Sequence, residues 1–281
     1  MWTEFWHELM NNRGKVLGWG LTLALLAGYL VSFYTTIADQ QAELQKLIES
    51  YPPALMAFFG GTFDLFTPAG FLHIEFFSYM PIVLGIFALL AGSGLFAGDE
   101  EKGTLNLILS YPISRTRLFW GRLLAMVGVT LIILGVIWVG FGIGVSATPE
   151  IGFGWADLLL PMLSMLSVLL LFETLSVALS MVLPSRGLAA MVSGVLLVAS
   201  FFITSLAQID PDLEVLADFS PLTYYQGGRA LEGFNGTWFA ALMIASLVFA
   251  LLAWWRMERK DIRVAGEGGW RWPWVSRPAE A

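Results

Sequence analysis

Six stretches of this chain are apolar, almost free of charge and long enough to cross a bilayer, and this feature limits the fold more than any other. They cover residues 16–37, 76–97, 123–145, 158–183, 188–207 and 238–255. Each has the ~17–25 residues that a helix needs to traverse a hydrocarbon core about 30 Å thick. Lipid offers the backbone no hydrogen-bond partners, so segments of that kind must be helices with their amides satisfied internally. Composition agrees: 57% of residues are hydrophobic and 13% charged, with a mean hydropathy of +0.72. Soluble domains carry about 25% charged residues. The sequence predicts an all-α integral membrane protein, a single domain of six transmembrane helices over residues 1–281. The fourth and fifth runs are joined only by "PSRG", residues 184–187, which reads as a tight helical hairpin. No repeat, low-complexity tract or soluble domain interrupts the pattern.

The bases orient the bundle. With the N-terminus inside, every one of the 15 Lys and Arg except Lys46 and Arg229 falls on the inner side. Positive residues favour the cytoplasmic face, so both termini are expected in the cytoplasm and the protein in the plasma (cytoplasmic) membrane. The first run is longer than a typical signal-peptide core of ~7–15 residues, so it reads as a retained span rather than a cleaved leader. Trp19, Trp120, Trp155, Trp238, Trp254 and Trp255 lie near span ends, as interfacial belts require. There is no cysteine, which excludes disulfides, zinc–thiolate sites and thiol chemistry. His7 has no second histidine near it and His73 is expected at or outside the interface, so no metal site is predicted.

The connecting segments carry more information than the spans. Residues 1–15 place Trp2, Phe5, Trp6, Leu9 and Met10 on one helical face and Glu4, Glu8, Asn11 and Asn12 on the other. This is the pattern of an interfacial helix lying flat on the membrane. The first outer loop continues with helical spacing to Pro52-Pro53. Thr67 and Pro68 then offer an N-cap and a first helical residue, so the second span is expected to begin well before Phe76. The last outer loop, residues 208–237, has apolar pieces too short to span; they are either re-entrant or spread on the surface. The tail from residue 256 mixes Trp270, Trp272 and Trp274 with Arg271 and Arg277, so it is either suited to anionic interfaces or a loosely ordered tail.

The richest connector is "GDEEKGTLNLILSYPISRTRLFWGR", residues 98–122. Asp99, Glu100 and Glu101 stand where acids favour a helix N-terminus. An apolar run through Leu105, Leu107, Ile108 and Leu109 follows, and Tyr111-Pro112 ends it. Ser114 is placed to cap the next helix, and Arg115, Arg117 and Arg122 are placed to meet headgroups. A short helix with an exposed apolar face needs a cover, either lipid or a partner.

This segment resembles the first cytoplasmic loop of ABC-2 type transporter permeases. The match falls on Glu100, Glu101, Gly103, Thr104, Leu105, Leu109, Pro112, Ser114 and Arg115. It extends more weakly to the amphipathic start, to "FSPLTYY" around Ser220-Pro221, and to the basic exit "WWRMERKDIRV". The resemblance implies a permease subunit of an ATP-driven exporter. Its loop would be a coupling helix that docks on a separate ATP-binding cassette subunit. It further implies a second permease copy or homologue, with ATP and magnesium held by the ATPase partner and no cofactor on this chain. No nucleic-acid partner is expected.

Two observations bear on the energy source. No G-x-x-x-x-G-K-[ST] phosphate loop occurs anywhere in the sequence, so no catalytic residues are expected here. One acid, Glu173, lies about mid-depth in the fourth span, where it costs on the order of 2.5–3.5 kcal/mol on insertion scales. It is either a protonated or hydrogen-bonded tie between spans or a contact in the pathway or its gate. It also motivates an alternative reading, an ion-coupled secondary transporter with Glu173 as proton site. Against this, the sequence shows no inverted repeat. The pairs Gly94/Gly98 and Gly140/Gly144 have G-x-x-x-G spacing and are expected to pack spans within one subunit. The uniformly apolar spans lean toward lipids, amphipathic drugs or peptides as cargo.

Overall fold

The computed structural model describes residues 6, 9, 10, 12–40 and 66–259. Most of the N-terminal amphipathic segment with His7, the first outer loop with Lys46 and Pro52-Pro53, and the tail from residue 260 lie outside these. Six helices have spanning length and hydropathy: α1 (Arg13–Ile37), α2 (Pro68–Gly94), α5 (Arg115–Ala147), α6 (Leu159–Val182), α7 (Arg186–Leu206) and α8 (Gly236–Arg259). Two short helices, α3 (Ala97–Lys102) and α4 (Thr104–Leu109), lie between α2 and α5. No strand occurs among the described residues.

Local chemistry sets the ends of these helices. Thr67 is extended, its hydroxyl accepts from Gly70 N at 3.1 Å, and Pro68 opens α2. The second span thus begins eight residues before the apolar run at Phe76. Ser114 caps α5 by accepting from Arg117 N at 3.3 Å, and Ser185 caps α7 by accepting from Leu188 N at 3.2 Å. The third span therefore starts at Arg115 rather than at residue 123. Three arginines interrupt the hydropathy there without interrupting the helix.

α6 is the axis of the bundle. It packs along α2 and α8 and also touches α7 and α5, and it is the most buried of the six. α1 lies mainly on α5. Lipid is as apolar as the helix surfaces, so association rests on close contact and interhelical hydrogen bonds rather than on water release. The sequence supplies both. At Gly140 a Cβ would stand 2.2 Å from the carbonyl oxygen of Ala24, and at Gly92 it would stand 2.3 Å from that of Glu173. Only glycine lets α1 approach α5, and α2 approach α6, so closely. Ser176 Oγ adds a bond to Leu89 O at 2.7 Å across the α6–α2 contact. Gly140 and Gly144 pack spans within the subunit, as expected from their spacing. Gly94 serves a different purpose, because the guanidinium carbon of Arg186 fills the space 3.0 Å from its missing Cβ.

The end of the bundle opposite α3 and α4 is covered by residues 208–235, folded into short turns that include Pro221–Tyr224 and Gly227–Leu231. These turns pack on α2, α6 and α7. Gln226 is buried: its backbone N–H donates to Ser164 Oγ at 2.9 Å, and its side-chain amide pairs with the backbone of Asn235. Gly228 N donates to His73 Nδ1 at 3.1 Å. His73 is therefore buried between α2 and this loop. α2 is π-helical over His73–Phe77, and Pro81 follows four residues after Phe77. A proline removes the amide that would bond the carbonyl of residue i−4. Here Tyr225 Oη donates to Phe77 O at 3.0 Å and takes the place of that amide.

Candidate docking site between the second and third spans

α2 ends at Gly94, and Leu95 and Phe96 turn the chain into α3, whose first turn holds Asp99 and Glu100. Gly103 ends α3 in the left-handed region at φ +72° and starts α4 at once. α4 has only six residues, so tertiary contacts must hold it. Leu105 is buried and Leu109 half-buried beneath it, while Leu107 and Tyr111 are 66% and 68% exposed. Glu101, Lys102, Asn106, Ser110 and Pro112 are exposed around them. The outward face thus presents two large apolar side chains four residues apart, ringed by polar and charged groups. The sequence had grouped Leu105 with the docking residues; the structure turns it into the core.

Four sets of bonds seat this corner. Asp99 Oδ2 lies 2.7 Å from Arg122 Nη1, and the same nitrogen donates to Leu95 O at 2.8 Å. Arg122 is buried, with its guanidinium over the Phe96 ring at 5.6 Å, and Phe96 stacks on Phe119 at 5.3 Å. Arg122 therefore holds the loop to α5 and does not reach lipid headgroups. Glu101 Oε1 accepts from Arg186 N at 2.7 Å, an amide with no partner inside its own helix. Arg115 Nη1 donates to Met257 O at 3.1 Å and Glu258 O at 3.4 Å, at the C-terminal end of α8. A cation is favoured there by the helix macrodipole. Thr116 Oγ1 donates to Glu258 Oε1 at 2.5 Å. The crevice left behind α4, lined by Phe96, Leu105, Leu109, Met181 and Met257, holds only about 20 Å³. That is room for one water molecule.

The other predicted site residues distribute as follows. Glu100 and Gly103 are half-buried, Pro112 and Ser114 are exposed at the bend, and Thr104 bonds back to Asp99. Glu173 is far from this corner. It is fully buried on α6, its Oε2 accepts from Thr130 Oγ1 of α5 at 2.9 Å, and its Oε1 has no hydrogen-bond partner among the described residues. Its neighbours Phe172 and Leu175 face a different space, an apolar groove of about 670 Å³ between α6, α7 and α8. No group of three or more acids, histidines or cysteines placed to hold a metal occurs among the described residues. The features that sequence reading missed are the Asp99–Arg122 pair and the outward Leu107/Tyr111 pair. Only the second left a signal, its i, i+4 spacing.

An all-helical bundle of six helices long and apolar enough to cross a bilayer is the architecture of a multi-pass membrane protein. The chain belongs to the ABC-2 family transporter proteins, whose family model matches residues 2–262. No curated protein matches the sequence. Membership makes the protein the permease of an ABC transporter, which works with an ATP-binding cassette ATPase. The ion-coupled alternative loses its motive, since such a transporter draws its energy from that ATPase.

Proposed function

We propose that the protein is the transmembrane subunit of an ATP-driven exporter, paired with a second permease copy or homologue, with ATPase subunits docking on the outward face of α4. The observation that carries the reading is the exposed Leu107/Tyr111 pair on a corner fixed by bonds to α5, α7 and α8. Two large apolar anchors inside a polar rim are the composition of an interface core. Positive residues flank this end of the bundle and support a cytoplasmic position for it, with both termini on the same side. ATP and magnesium belong to the partner.

The apolar groove of about 670 Å³ supports an apolar or amphipathic cargo. Glu173 acts in this scheme as the tie that makes α5 and α6 move together, since its carboxylate meets Thr130 rather than the groove. The test is co-purification of the chain with any phosphate-loop ATPase encoded beside it. Wild type retains the ATPase, and the double substitution Leu107→Asp/Tyr111→Asp loses it while the permease stays folded. Equal retention by both would remove α4 as the docking face.

A further inference from the structure

Asp99, the first of the three consecutive acids that open the connector, is joined to a buried arginine and uses both of its oxygens. Oδ2 lies 2.7 Å from Arg122 Nη1 on α5. Oδ1 accepts from Thr104 Oγ1, the first residue of α4, at 3.1 Å, and the Asp99 carbonyl accepts from the same hydroxyl at 3.2 Å. Between the two attachments stands Gly103 at φ +72°. A lone glycine between two helices has wide backbone freedom, so the chain itself does not fix the direction of α4 relative to α3. The carboxylate spans that joint. On the far side Arg122 cannot shift easily, because it is buried, bonded to Leu95 O and laid against the Phe96–Phe119 stack. Glu101 is used differently, on the α7 amide of Arg186.

We propose that Asp99 is the positioning residue of the coupling corner: it locks α4 to α5 across the Gly103 joint, so that force on Leu107 and Tyr111 tilts α5 instead of swinging α4. The inference rests on the docking reading above. It gives Asp99 and Glu101 separate duties and makes Thr104 the second half of the lock. Without the lock, a partner still finds its two anchors, but its movement is lost in rotation at Gly103.

The absence of native cysteine lets single introduced cysteines carry spin labels without background. One label goes on Ser110→Cys, exposed at the end of α4, and the other on Ile132→Cys, 40% exposed on α5. In lipid nanodiscs the distance between them is narrow in the otherwise unmodified chain. It keeps its width when the bound ATPase is given ATP. Asp99→Ala broadens it, and so does Thr104→Val, which leaves the Asp99–Arg122 pair in place and keeps the test independent of any folding defect in the first variant. In the complex, both variants retain the ATPase but lose at least several-fold of the ATP-dependent change in distance from Ile132 to a label on Leu251→Cys of α8, a readout that a merely structural role would leave intact. Asp99→Asn, which keeps an acceptor for Thr104, falls between. A distribution as narrow in Thr104→Val and Asp99→Ala as in the parent overturns the lock. Failure of the unmodified chain to bind the ATPase overturns the docking reading instead, and the lock is still read from the chain alone.

Discussion

Tyr225→Phe removes one oxygen atom, and the structure specifies what that atom does. The Phe77 carbonyl lacks the helical amide that Pro81 cannot supply, and Tyr225 Oη donates to it at 3.0 Å. A buried acceptor left without a donor costs about 1–3 kcal/mol. Hydrogen bonds inside membrane proteins average nearer 0.6 kcal/mol, reaching about 1.7. A loss of about 1 kcal/mol is therefore expected, roughly fivefold in the unfolding equilibrium. Pro81→Ala restores an amide at position i+4 from Phe77. In that background the carbonyl has a second donor, and Tyr225→Phe should cost less than half as much. The assay is equilibrium unfolding of the purified chain in mixed micelles, run as a double-mutant cycle over the two sites. A coupling of about 0.5–1 kcal/mol is the expected result. If Tyr225→Phe costs the same with alanine as with proline at position 81, the hydroxyl is not replacing the missing amide.

Burial also pushes the Tyr225 phenol well above its ordinary range. Its folded pKa lies above its unfolded one, so its contribution is complete below about pH 10, the unfolded value, and declines as pH rises beyond it. Unfolding measured across that window should show a smaller alkaline loss in Tyr225→Phe than in wild type. Gly140→Val drives a Cβ to within 2.2 Å of Ala24 O and should cost about 1–3 kcal/mol as overpacking. Loss of a disulfide engineered between α1 and α5 would register the separation, and its undiminished formation would contradict the contact. Glu173→Leu removes the acceptor for Thr130 Oγ1 and should lower cargo-stimulated ATP hydrolysis several-fold while ATPase binding is retained. Unaltered hydrolysis would exclude the side chain from the working cycle. Arg115→Ala frees the carbonyls of Met257 and Glu258, and faster hydrogen exchange at the end of α8 is the expected readout.

The spans were legible because a bilayer imposes length and apolarity on each of them separately, and neither property depends on neighbours. Caps were legible for a similar reason: Thr67 and Ser114 act within three residues of themselves. What required the structure is whatever joins elements distant in sequence. Arg122 looks like a headgroup contact until Asp99 is found beside it. His73 gives no sign in the sequence that Gly228 folds over it, and nothing in residues 226–235 announces the bonds to Ser164 and His73. The faces of α4 were ambiguous because "TLNLIL" is apolar at too many positions for six residues to show a clear stripe. Packing turned Leu105 inward and left Leu107 outward.

The axial place of α6 also sets an order on biosynthesis. Its two most extensive neighbours, α2 and α8, come from opposite sides of it in the chain. α2 is waiting in the membrane when α6 emerges, but α8 is made two spans after it. Until then the flank of α6 that α8 will cover faces lipid or a chaperone, and the Arg115 bonds to Met257 and Glu258 have nothing to close upon. The corner between α2 and α5, translated early, is completed only when α8 is in place. A ribosome stalled before Gly236 would therefore leave a bundle that is inserted and yet unable to hold the corner of α3 and α4 against every wall that bonds it.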